Sequence, residues 1–158
     1  MRKQKGFSLI ELLIVVAIIL IIAAIAIPNL LRARIASNES SAVASIRTIN
    51  TAMVSYNSAY PSVGYATNLT ALTGTCTGGV VPTSDSACLI DTTLASGTKS
   101  GYTFAAAGTS GGYAAWANPV TLNTTGVNSF CSVADAVVRN AGQSGSVSSC
   151  AGTETPIQ

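Results

Sequence analysis

Hydrophobic and polar positions divide the chain into unlike stretches. After a short basic start, Phe7-Ser8-Leu9-Ile10-Glu11 leads into residues 12–27, which carry no polar side chain. At about 1.5 Å per residue, a helix over residues 7–27 spans roughly 30 Å, the thickness of a bilayer's hydrocarbon. Beyond Pro28 a period appears. Ala42, Ile46, Ile49, Met53, Tyr56 and Tyr60 recur at alternating steps of four and three, which draws one apolar stripe along a helix. Arg34, Asn38, Glu39, Ser41, Arg47 and Ser55 fall largely off that stripe. The pattern predicts one helix over residues 7–60, its first half (7–27) in lipid and its second half laid on the more polar C-terminal portion. Pro61 supplies the stop, because the residue before a proline is biased away from helix. Pro28 removes a backbone donor inside the helix and crowds the carbonyl of Ala24, so a kink or loosened turn is expected there, either functional or a bend at the bilayer surface.

Residues 60–99 show little periodicity and read as a connection with turn signals at Thr77-Gly78-Gly79 and Pro82. Residues 101–107 and 112–118 then read as two strands joined across residues 108–111, with a second pair over 128–133 and 136–139. Tyr102, Phe104, Tyr113, Trp116 and Phe130 are the expected packing residues. The fold class predicted is α+β: a long N-terminal helix against a small antiparallel sheet, with residues 61–158 as the globular domain.

Composition narrows the function. Only 9% of the 158 residues are charged, and the net charge of +2 is concentrated at Arg2, Lys3 and Lys5. Without those three, five Lys/Arg face six Asp/Glu, a formal −1. That is no nucleic-acid surface of the strongly basic kind. The leading basic cluster places the N-terminus in the cytoplasm and the rest outside, a bias that Arg32 and Arg34 weaken. The four cysteines Cys76, Cys88, Cys131 and Cys150 occur with no histidine and no C-x-x-C pair, which favours two disulfides in an oxidising compartment over a zinc site. No nucleophile has a base partner, and Gly97-Thr98-Lys99-Ser100 lacks the spacing of a phosphate-binding loop, so no catalytic residue, metal or cofactor is expected. Two readings of the apolar stretch alone compete: a secretory signal peptide, for which Ala24-Ile25-Ala26 supplies small-x-small, and a plain membrane anchor. Neither explains Gly6-Phe7 with Glu11, a carboxylate at an apolar segment's near end, where such a group is costly unless it is used.

Gly6-Phe7-Ser8-Leu9-Ile10-Glu11-Leu12, preceded by a short basic leader, resembles the processing motif of type IV prepilins. The resemblance is strong over residues 1–34. It implies a leader at residues 1–6, cleavage after Gly6 by a membrane-embedded prepilin peptidase, and methylation of the new Phe7 amine. It implies that Glu11 attracts the amine of Phe7 on an adjacent subunit, and that Phe7, Glu11 and Pro28 serve assembly. It further implies an inner-membrane precursor that polymerises into an extracellular helical homopolymer, with an inner-membrane assembly platform and cytoplasmic ATPases as partners. As in many pilins, Cys131 with Cys150 would tie down the C-terminal segment while Cys76 with Cys88 closes the earlier loop, two other pairings staying open.

The nearest rival is a pseudopilin of a type II secretion system, which shares the motif. Major pseudopilins commonly hold calcium near the C-terminus, and only Asp135 and Glu154 occur late enough here, which favours the pilus. A membrane-anchored monomeric binding module is the alternative from another class. Adhesion, twitching motility, DNA uptake and electron transfer are not separated by these residues.

Overall fold

The computed structural model of the chain describes residues 7–74 and 81–157. In chain order it comprises α1 (Leu9–Ala59), α2 (Leu69–Leu72), α3 (Thr92–Ala95), β1 (Thr98–Lys99), β2 (Tyr102–Gly108), β3 (Tyr113–Pro119), β4 (Phe130–Val133), β5 (Arg139–Asn140) and β6 (Thr155–Pro156). The chain resolves into two compact units, Met1–Arg34 and Ile35–Gln158.

In the first unit the large apolar residues of α1 from Leu9 to Leu31 are exposed, and Ala23 is half-buried. Length and composition suffice for this helix to cross a membrane. The helix continues unbroken through Pro28. Just beyond the proline, Asn29 Nδ2 donates to the Ile25 carbonyl at 3.1 Å, a side-chain bond beside the donor that proline lacks.

The second unit is built on the predicted stripe. Ala42, Ile46, Ile49, Met53 and Tyr56 are buried, while Tyr60 packs partly buried at the margin of the same cluster. The six strands form one antiparallel sheet in sequential order β1 to β6. Period-two alternation turns Tyr102, Phe104 and Ala106 of β2, Tyr113, Ala115 and Ala117 of β3, and Phe130 of β4 into the core. Across the sheet Phe104 faces Ala117, and Ala117 faces Phe130, so a small residue separates two rings on the middle strand. The helix is also tied to the sheet by polar contacts: Asn50 Nδ2 donates to Ser132 Oγ at 2.9 Å and to the Ala136 carbonyl at 3.1 Å.

Four expectations need correction. Trp116 is not a core residue. It pairs with Cys131 on the opposite face of the sheet and is half-buried, because period two places it out of phase with Tyr113, Ala115 and Ala117. The hairpin strands begin and end one residue later than expected. The second pair is shorter: Ala136 takes a left-handed φ of 59° and its amide bonds the Val133 carbonyl at 2.8 Å, so a tight turn delays β5 to Arg139. The connection at residues 60–99 contains two one-turn helices. Asn68 caps α2 by accepting from the Ala71 amide at 2.9 Å, and Asp91 caps α3 by accepting from Leu94 at 2.7 Å. Their Leu69, Leu72 and Leu94 enter the core.

Candidate assembly and processing site

Gly6, the expected cleavage position, and Arg2, Lys3 and Lys5 lie outside the described residues. Phe7 is 81% exposed at the head of α1. Glu11 turns back on the helix start, where its Oε2 accepts from the Ser8 amide at 2.9 Å. Ser8-Leu9-Ile10-Glu11 thus has the spacing of a capping box, with the glutamate satisfying an amide that the helix leaves orphaned. That second role is legible in the S-x-x-E spacing, although the apolar run around it draws attention to the charge alone. Pro28 lies further along the same helix and contributes nothing to this end of it.

The cysteines belong to the second unit. Cys131 and Cys150 form a disulfide across 19 residues. Cys88 is engaged rather than free, and Cys76, its expected partner, lies outside the described residues. The bond from buried Cys131 holds the segment after β5 on the face of the sheet that carries Trp116. Asn118 clamps the same segment twice, donating from Nδ2 to the Val147 carbonyl at 2.8 Å and accepting from the Val147 amide at 2.9 Å. Cys131, Cys150 and Glu154 cluster closely enough to suggest a metal donor set, but both sulfurs are spent in the disulfide.

Asn38 and Glu39, which the sequence pattern sets aside as off-stripe polar residues, are fasteners. Glu39 Oε1 accepts from the amides of Val127 and Asn128, both at 2.9 Å, and Asn38 Nδ2 donates to the Thr125 carbonyl at 2.8 Å. The Tyr102 hydroxyl donates to the Asn128 carbonyl at 2.8 Å from the sheet side. Gly126 permits this closure, since a Cβ there would stand 2.0 Å from the Tyr102 hydroxyl oxygen. Burial, with the nearby Glu39 charge second, pushes the Tyr102 hydroxyl well above the usual tyrosine range. Tyr113 is likewise pushed up by burial, to about 12.

Three carboxylates of this unit are held below their usual range. The Arg139 guanidinium does this for Asp135 through paired hydrogen bonds to its two carboxylate oxygens. A backbone amide does it for the others: Leu94 for Asp91 and Ala151 for Glu154. A carboxylate with a depressed folded pKa stabilises the fold above its unfolded pKa, and that contribution disappears as pH falls through the folded value. Stability should therefore hold from neutrality to about pH 4 and drop below it. Urea midpoints of the detergent-solubilised protein between neutrality and about pH 2.5 will show this, and Asp135→Asn should flatten the acid limb. A midpoint indifferent to acid would refute the assignment.

The chain thus combines an exposed apolar helix segment of membrane-crossing length, with a carboxylate at its head, and a unit in which the helix stripe packs on an antiparallel sheet. The prokaryotic N-terminal methylation motif family matches residues 1–27, and over this N-terminal segment the chain is similar to type IV pilins and to a type II secretion protein. It is 65% identical over 40 residues to the type IV wide pilus major component PilA4 of Thermus thermophilus, covering 25% of this chain and 30% of that protein. Against the type IV major pilin protein PilA of Myxococcus xanthus it is 48% identical over 54 residues, 34% of this chain and 24% of the relative. The type II secretion system core protein G of Vibrio cholerae is 40% identical over 65 residues, 39% of this chain and 44% of the relative. The chain thus spans less than half the length of each of these relatives. No solved structure matches it significantly.

Proposed function

We propose that the chain is the structural subunit of an extracellular type IV pilus filament. It enters the inner membrane as a precursor with residues 1–6 as leader and 7–27 as the membrane half of helix 7–60. Prepilin peptidase cuts after Gly6, the Phe7 amine is methylated, and an inner-membrane platform with its ATPases draws subunits into a helical homopolymer. The observation that carries this reading is the run of exposed large apolar residues from Leu9 to Leu31 of α1 with Glu11 at its head. Such a cylinder is stable in lipid or bundled with others of its kind, and little else covers it. Mass spectrometry of the mature protein is expected to show a chain that begins at methylated Phe7; mature protein starting at Met1 or Ile27 would end this reading.

The similarity to a type II secretion protein favours a second reading, a pseudopilin. The late carboxylates weigh against the calcium site common in that group, because Asp135 is committed to Arg139 and Glu154 to the Ala151 amide. Filaments sheared from the cell surface distinguish the two machines.

A further inference from the structure

Ile35–Gln158 contains five carboxylates, Glu39, Asp85, Asp91, Asp135 and Glu154, and three cations, Arg47, Lys99 and Arg139. Most are satisfied within the chain. Asp91 pairs with Lys99 at 3.5 Å and Asp135 with Arg139, while Glu39 accepts backbone amides and Glu154 accepts one from Ala151. Among the described residues this leaves one cation and one anion of the unit, Arg47 and Asp85, without an ion pair or a side-chain hydrogen bond.

Their placement prevents them from meeting each other. Arg47 is exposed on α1 between two grooves, one lined by Ala36, Val43, Phe130 and Glu39, whose carboxylate is committed to the Val127 and Asn128 amides, and the other by Thr51 and Val54. Asp85 sits in the turn closed by the Thr83–Ser86 bridge, next to Ser84, whose carbonyl accepts from the Tyr56 hydroxyl at 2.7 Å. Tyr56 follows Arg47 by nine positions, about two and a half helical turns, so it faces the opposite side of α1 and lies about 14 Å further along the axis. The unit thus shows a lone positive charge in a partly apolar strip on one side and a lone negative charge on the other, offset along the helix.

We infer that a second copy of this chain docks through an ion pair between Arg47 of one copy and Asp85 of the next, a proposal that rests on the filament reading above. The contact joins two different patches, so it is heterologous, and repeating it with an axial step generates an open helical array instead of a closed dimer. The apolar rim supplied by Val43 and Val54 partly removes the pair from water, where a charge pair is stronger than at a free surface. An exposed pair alone changes an equilibrium by a factor of at most about five. Reversing one charge adds repulsion at every contact.

The test uses the full-length chain in cells that export it, with filaments sheared, collected and compared with total subunit by blot. Arg47→Glu and Asp85→Lys are each expected to lower filament yield at least about tenfold at unchanged subunit level. The double variant should return to within about threefold of the original chain. In addition, the double-cysteine variant Arg47→Cys with Asp85→Cys should give a ladder of oxidised multimers. Single reversals that assemble normally, a double no better than its parents, or oxidised monomer alone would overturn the pairing while the unaltered chain's filaments leave its function as a subunit standing. Absence of filaments from the unaltered chain would overturn both.

Discussion

Glu11→Ala is expected to leave membrane insertion and cleavage intact and to remove most assembled filament. A carboxylate in an apolar helix carries a desolvation cost, so its removal does not weaken the lone subunit in lipid. In the filament, though, the proposed partner of Glu11 is the Phe7 amine of a neighbour, and the alanine leaves that ammonium buried and unpaired. Breaking such a pair costs about 3–5 kcal/mol, on the order of a hundredfold or more at each contact. The bond from the Ser8 amide to Glu11 gives the residue a second task at the helix start. Glu11→Gln separates the two, because glutamine still accepts from that amide but carries no charge. Loss of filaments in both variants, with subunit retained in the membrane fraction, fits charge pairing. Normal filaments from the glutamine variant would instead make Glu11 a helix cap.

The second large effect is expected at the disulfide. Cys131→Ser should destabilise the unit by about 3 kcal/mol, since the bond closes a loop of 19 residues. That is a large share of the roughly 5–15 kcal/mol that holds an ordinary domain. The segment it releases keeps the Asn118 clamp to Val147 but loses its covalent tie to β4. Cys150→Ser is the control, because Cys150 is half-buried whereas Cys131 is fully buried. Equal losses in urea midpoint for the two variants would assign the effect to the bond; a loss confined to Cys131 would assign it to a hydroxyl buried in a sulfur's place. Steady-state subunit level should fall in either variant while processing at residue 7 continues.

The long helix was the most legible element, because an apolar stripe that holds its phase from Ala42 to Tyr56 fits the period of a helix and not that of a strand. The central hairpin was legible to within one residue for a similar reason: seven-residue strands give an alternation time to declare itself. Strands of two residues, such as Thr98–Lys99 and Thr155–Pro156, have no period to read. Pairing with neighbours creates them, and no local propensity announces it. Trp116 shows a different failure. Size alone suggested a core residue, yet its phase relative to Tyr113 already pointed it to the other face. The role of Glu39 is not legible in the sequence, because a carboxylate off the apolar stripe reads as solvated, and its amide partners at Val127 and Asn128 lie 88 and 89 residues away. The N-terminal methylation motif was legible in the sequence, whereas the charge pairing proposed for Glu11 depends on a second subunit.

The sequential strand order has one more consequence. Because each strand pairs with the next in the chain, the sheet never has to wait for a distant segment to return. If the chain is exported behind its N-terminal helix, as proposed above, its partners meet in the order in which they emerge: the helix stripe first, then β2 on β3 and β3 on β4, and only afterwards Cys150 and the Ile157 amide that bonds the Val138 carbonyl at 2.9 Å. Connections this local close quickly and leave few unpaired edges along the way. On that reading export order would become folding order, and the Cys131–Cys150 disulfide would act as a latch that closes only after most of the chain has crossed.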